Sequence, residues 1–332
     1  MSRKIKIYLA GCGILAVLAA VFLTGIFYHP GKKLEVDFLD VGQGDAILIK
    51  APDGQNILID GGANSRVVER LSGVLWPWDK KIDLMILTHP HDDHVTGLVN
   101  VLERFRVEKI LYTGVNHDSP NYIAWLKGVR DKKIPLMIID QPQTIKLGDN
   151  CRLEILYPLE SFLNKEVENL NNTSIVAKLI YGETSFLFTG DAEEPEEREL
   201  LESNYNINYE FRQNKNTIIE KDGVFVDPPK DEVSFPDKYL HNSILENPVK
   251  GLGKVSVLKI GHHGSDTSSS EEFLASVQPE MAVISVGKDN DFGHPSLRTI
   301  KKLERAGAKV FRTDESGTIK IVSDGMTVVI KK

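Results

Sequence analysis

The stretch LTHPHDDHVTGL, Leu87–Leu98, leaves the predicted strand Leu84–Thr88 and crowds His89, His91, Asp92, Asp93 and His94 into six consecutive positions. Three imidazoles that titrate near neutral pH beside two carboxylates form a ligand set more readily than a solvated loop. The helical pattern predicted over Thr96–Phe105 begins directly after the cluster, so the ionisable residues sit at a strand-to-helix junction.

Three more apolar runs end the same way. Asn56–Ile59 ends in Asp60-Gly61-Gly62, Ser185–Phe188 in Thr189-Gly190-Asp191, and Val255–Ile260 in Gly261-His262-His263-Gly264-Ser265. Taken singly, Asp60-Gly61 is more often turn chemistry than a ligand, Gly190-Asp191 fits a turn and a ligand equally, and His262-His263 admits a reading as satisfied loop histidines beside the ligand one. Taken together, four buried-type strands finish in potential ligands, and strand ends in layered α/β folds converge on one edge. Neutral imidazole and carboxylate suit Zn, Mn or Fe, and a His/Asp set divided between two ions is the construction of a binuclear hydrolytic centre.

Around these junctions, many short β-branched strands alternate with few helices, among them Ser65–Leu75, Tyr122–Arg130, Pro195–Glu202, Ser270–Val277 and Leu297–Ala306. That rhythm predicts an α/β fold of two mixed sheets packed together with helices outside. One segment breaks it: residues 203–253 are polar, Asn-rich and aperiodic, and read as an insertion in a domain spanning 34–332. Gly42-Gln43-Gly44 lacks the third glycine and following helix of a dinucleotide loop, and Ser265 lies in no G-x-S-x-G elbow.

The N-terminus has its own signal. Tyr8–Tyr28 holds no charged residue across 21 positions, the length of a bilayer-crossing helix, so residues 1–33 are predicted to be a transmembrane anchor. Leu9-Ala10-Gly11-Cys12 has the form of a lipidation box, but the apolar residues continue beyond Cys12 and favour an uncleaved span. Arg3, Lys4 and Lys6 precede the span and Lys32 and Lys33 follow it, which predicts a cytoplasmic N-terminus and an extracytoplasmic domain at the cell membrane. The chain has 40 basic and 47 acidic residues; without residues 1–33 it has 35 and 47, a net charge of −12. A domain that acidic is no general polyanion binder, so a nucleic-acid substrate would have to be gripped locally, with bound cations as the obvious source of positive charge.

The series His89-Pro90-His91-Asp92-Asp93-His94, Thr189-Gly190-Asp191 and His262 resembles the metallo-β-lactamase superfamily. Asp40-Val41-Gly42-Gln43-Gly44-Asp45-Ala46, Leu58-Ile59-Asp60-Gly61-Gly62, Lys259-Ile260-Gly261-His262-His263-Gly264-Ser265, Phe292-Gly293-His294-Pro295 and Thr313-Asp314-Glu315-Ser316-Gly317 are similar to its ComEC-type, competence-protein branch. The resemblance implies an αββα sandwich and two divalent ions, Zn or Mn. His89 and His91 would hold one ion, Asp93, His94 and His262 the other, and Asp191 would bridge. His262 is chosen over His263 by its position after the strand. His263 and His294 are then left, beside Asp93, as the catalytic candidates that protonate a leaving group or grip a phosphate.

The resemblance also implies hydrolysis of a phosphodiester in DNA outside the cytoplasm, a bridging hydroxide attacking phosphorus in line. The alternatives are a lactone, β-lactam or thioester substrate on the same centre, or a non-catalytic module binding DNA or a cell-wall polymer. One position departs from the broader superfamily: where a histidine usually completes the first site, this chain has Asn171-Asn172-Thr173. A neutral amide oxygen there shifts the preference from Zn towards Mn, or weakens the site.

Overall fold

The computed structural model describes residues 33–203, 220–221, 224–225 and 252–331. The Tyr8–Tyr28 stretch, Cys12 and most of the 203–253 insertion lie outside the described residues. Among the described residues no helix is long and apolar enough to cross a membrane.

Two mixed sheets carry the fold. The first runs, in spatial order, Val328–Lys331, Ile319–Ser323, Leu34–Phe38, Ile47–Lys50, Asn56–Ile59, Leu84–Ile86, Ile110–Tyr112 and Leu136–Ile138. The second runs Lys309–Arg312, Met281–Ile284, Val257–Lys259, Thr184–Phe188, Val176–Tyr181, Cys151–Tyr157 and Gln143–Lys146. Strand alternation divides the apolar residues between the layers. In Asn56–Ile59, for example, Ile57 and Ile59 face the second sheet, meeting a core that includes Leu153, Leu179, Phe186, Phe188 and Val257. Leu58 faces the opposite way, towards Val67, Leu71, Leu98, Leu102 and Trp125 of the helices Arg66–Val74, Asp92–Arg104 and Pro120–Asp131. On the far side, Leu258, Ala282 and Ile284 pack against Leu200, Phe273, Val277 and Leu303 of Glu194–Ser203, Glu271–Val277 and Leu297–Arg305. The result is the expected helix–sheet–sheet–helix order.

The helix predicted from Thr96 starts earlier, at Asp92, with His91 as its N-cap. Acidic side chains at an N-terminus favour the helix dipole, so Asp92 and Asp93 extend the helix where the apolar periodicity had not yet begun. The consequence is positional: Asp93 and His94 stand on the first turn, rigidly mounted, instead of in a loop.

Candidate metal centre

The four junctions meet at one edge of the sandwich. Strands Leu34–Phe38, Asn56–Ile59 and Leu84–Ile86 run in one direction, and their carboxyl ends deliver Asp45, Asp60 and His89. Glycines permit the close approach. A Cβ on Gly44, whose φ is +112°, would lie 2.1 Å from the Asp93 carbonyl oxygen, and one on Gly97 would lie 1.8 Å from that of Gly61. The Gly-rich motifs therefore serve to press the Asp92–Arg104 helix onto the strand ends; Gly61 N donates to His94 O at 2.8 Å and Gly97 N to Gly62 O at 2.9 Å.

Asp93, His94, Asp191 and His263 each offer a ligand atom, all within 4.8 Å of one another. His263 Nε2 lies 3.2 Å from Asp93 Oδ2 and 3.3 Å from Asp191 Oδ2, and His94 Nε2 lies 3.3 Å from the same Asp191 oxygen. On the other side of Asp191, His89 Nε2 is 4.0 Å from Oδ2 and 3.0 Å from His91 Nδ1. Asp191 thus stands between the His89/His91 pair and the Asp93/His94/His263 group.

Outer partners aim these rings. His263 Nδ1 donates to the Ser285 carbonyl at 2.9 Å, which turns Nε2 towards the carboxylates of Asp93 and Asp191. His94 Nδ1 lies 2.8 Å from Asp60 Oδ2, and Asp60 also accepts from Thr88 N and Thr88 Oγ1 at 2.8 and 2.7 Å. Asp60 is thereby neither a solvated turn residue nor a free ligand: its oxygens are committed to fixing His94.

The electrostatics call for cations. Burial disfavours charge on His94, yet the carboxylates of Asp191, Asp60 and Asp93 outweigh it and raise its pKa well above the ordinary value. Burial likewise opposes charging His263, and Asp191 and Asp93 prevail, pushing it up to about 10. His89 goes the other way, held neutral by burial and by the charge of His94. Meanwhile His94 Nε2 and Asp191 Oδ1 are buried without any hydrogen-bond partner. Buried ligand-type atoms without hydrogen-bond partners, in a cluster whose carboxylates stabilise positive charge, fit a divalent metal.

Of the residues expected from sequence, His89, His91, Asp93, His94 and Asp191 are brought together. His262, expected beside them, is not brought into the cluster, whereas His263 is. Both residues have left-handed backbone, φ 48° and 52°, so the chain coils tightly after Ile260 and it is the second imidazole that turns into the cluster. His262 is a quarter exposed; its Nδ1 lies 3.0 Å from Glu193 Oε1, and its ring meets that of His294 edge-on at 5.5 Å. His294 stacks on the exposed Phe292 at 5.8 Å, is half-buried, and is not among the clustered ligand atoms. Asn171, the departing position, is buried; its Nδ2 donates to Glu193 Oε1 at 3.3 Å, and its Oδ1 has no hydrogen-bond partner.

Sequence reasoning passed over Lys259. This fully buried lysine pairs closely with Asp45, donates to Gly190 O at 2.7 Å and lies 3.6 Å from Asp191 Oδ1. A lone charge in the apolar run Val255–Ile260 was its signal: a lysine buried in a strand must have an anion waiting for it. Glu193, which gathers Asn169, Asn171, His262 and Thr267, carried no such mark.

The metallo-beta-lactamase superfamily model matches residues 39–288, and the chain belongs to that superfamily. Within it, the chain is 26% identical to ComE operon protein 3 of Bacillus subtilis over 90% of its own length and 34% of the relative's. It is 24% identical to Recombination protein 2 of Haemophilus influenzae, covering 96% of this chain and 32% of that one. Against Competence protein ComA of Neisseria gonorrhoeae the identity is 26%, over 87% and 32% of the two chains. The chain spans about a third of the length of these relatives.

Proposed function

We propose that this protein is a metal-dependent phosphodiesterase that cleaves DNA at the outer face of the membrane to which its N-terminal segment anchors it. The observation that carries the reading is the set Asp93, His94, Asp191 and His263, gathered within 4.8 Å while His94 Nε2 and Asp191 Oδ1 have no hydrogen-bond partner. In this reading His89 and His91 hold one ion, Asp93, His94 and His263 hold the other, and Asp191 lies between them. Two such ions supply Lewis acidity, neutralise the oxygens of a phosphodiester and make water a nucleophile at neutral pH.

The protein's own residues do the rest. Asp60 and the Ser285 carbonyl keep His94 and His263 in the ligating tautomer. Lys259 neutralises Asp45 and holds the second oxygen of Asp191 in place. His262 and His294 stand clear of the ligand cluster, where an imidazole can hold a phosphate oxygen or pass a proton to a departing alkoxide. The substrate class is supported by the names of the competence and recombination relatives, and by the domain's acidity, which leaves the centre as the place where a polyanion is held.

The test is digestion of labelled single- and double-stranded DNA by the purified chain under Mn and under Zn, with a lactone, a β-lactam and a thioester alongside. Metal-dependent shortening of DNA is the expected result. A folded, metal-loaded protein that leaves DNA intact and opens one of the other substrates overturns the reading, and a chain that retains well under about one ion after gentle purification points to a non-catalytic binder.

A further inference from the structure

Trp76 and Trp78, in Leu75-Trp76-Pro77-Trp78-Asp79, are 68% and 78% exposed and stack on each other, ring centroids 5.2 Å apart at 13°. Two indoles displayed side by side in water are a marked departure from how a soluble surface is built, since each has more apolar area to bury than almost any other side chain.

Their place in the fold says what they meet. Lys50 Nζ lies 2.8 Å from Glu35 Oε2 and donates to Val74 O at 3.1 Å, so one ammonium joins the start of the first strand to the end of the helix leading into the turn. Asn56 Nδ2, at the start of its strand, donates to Asp79 Oδ2 at 2.9 Å and to Lys81 O at 3.0 Å. The turn is therefore pinned to the end of the sheet where Leu34 and Asn56 begin, the end opposite Asp60 and His89. Leu34 is also where the chain enters this domain from the uncharged stretch Tyr8–Tyr28, only five residues, His29–Lys33, away. Fully extended, five residues reach roughly 17 Å, so on the anchor reading of residues 1–33 the chain tethers this end of the domain within about that distance of a bilayer surface. Trp is the side chain that settles in the headgroup layer of such a surface, its ring among the acyl ends and its N–H in water.

We infer that Trp76 and Trp78 form a lipid-interface contact that seats the domain on the bilayer with the metal centre facing away from it. The inference rests on the anchor reading of residues 1–33, and the experiment separates the two. The full chain is reconstituted into vesicles containing anionic lipid, with or without lipid brominated near the headgroup, and tryptophan emission is recorded together with flotation. The chain has three tryptophans, and the third, Trp125, is fully buried and serves as the unquenched reference. Bromolipid quenching of the wild-type chain, lost in Trp76→Ser/Trp78→Ser while that variant still floats, is the expected result. Flotation without bromolipid quenching, whether iodide reaches the indoles or a second copy of the chain shields them, overturns the docking and leaves the anchor standing. Failure of the wild-type chain to float overturns the anchor itself.

Discussion

The two halves of the centre are built differently. The Asp93/His94/His263 half is tightly supported: each imidazole has an outer partner that fixes its tautomer, and carboxylates surround it on several sides. The His89/His91 half has two imidazoles held neutral by burial, lies 4.0 Å from Asp191, and is steadied by hydroxyls, Thr88 Oγ1 and Ser174 Oγ at 3.1 and 3.4 Å from His89 Nδ1; at the position where the superfamily resemblance implies a third histidine the chain has Asn171, which contacts Glu193. Rigid, charge-rich support favours a tightly held ion, while fewer and neutral ligands leave a more open site. On the proposed two-ion reading, the Asp93/His94/His263 half would hold the tighter ion and the His89/His91 half the more exchangeable one.

Asp191 is the element both halves share, so replacing it tests the division most severely. Asp191→Ala should abolish hydrolysis, by at least about 10³-fold, the scale of losing a preorganised charge-stabilising group. Metal analysis of the folded variant should show loss of ions from both halves; full activity in a folded, metal-free Asp191→Ala protein would overturn the mechanism.

Lys259 asks whether the supported half needs its buried cation. Lys259→Met leaves Asp45 buried beside Asp191 with the His263 ring, 3.6 Å away, to offset its charge, and removing one partner of a buried pair costs about 3–5 kcal/mol. Denaturant unfolding in EDTA should report most of that loss, and added metal should recover part of it by supplying positive charge to Asp191. Unchanged stability in EDTA would mean that Asp45 takes up a proton at little cost.

The adjacent histidines then sharpen where the supported half ends. His263→Ala should remove one ion and cut turnover by more than the roughly 10- to 100-fold carried by an outer partner, whereas His262→Ala should stay within that range and keep both ions. The reverse pattern would restore the assignment made from position after the strand.

That pair marks what could be read from sequence. The layering and the convergence of strand ends were legible because apolar alternation and the residues closing each strand are local signals: Ile57 and Ile59 against Leu58, then Asp60; Leu84–Ile86, then His89. His262 against His263 was not, since neighbours in one turn differ only in backbone rotation, and a left-handed coil after Ile260 depends on the packing of Ser285 and Asp45 around it. The start of the Asp92 helix was obscured because the favourable placement of Asp92 and Asp93 on the helix dipole, rather than apolar period, extends it. Lys259 was visible as a charge in the wrong place, but its partner Asp45 lies more than two hundred residues earlier in the chain, and no local rule joins them.

Asn171 offers the mildest and most informative change. Its turn is tied to both halves: Ser174, three residues on, places Oγ 3.4 Å from His89 Nδ1 and accepts from Asp191 N at 3.1 Å. The amide itself spends Nδ2 on Glu193 and leaves a buried Oδ1 without a hydrogen-bond partner among the described residues. Asn171→His exchanges that oxygen for a softer nitrogen, so zinc affinity of the open half should rise by about tenfold, or about 1.4 kcal/mol, while activity with Mn falls. Titration calorimetry on the metal-stripped variant resolves the two ions if their affinities differ as the two halves predict. A single unchanged zinc isotherm would show that position 171 contributes nothing to either ion, and the open half would then owe its character to His89 and His91 alone.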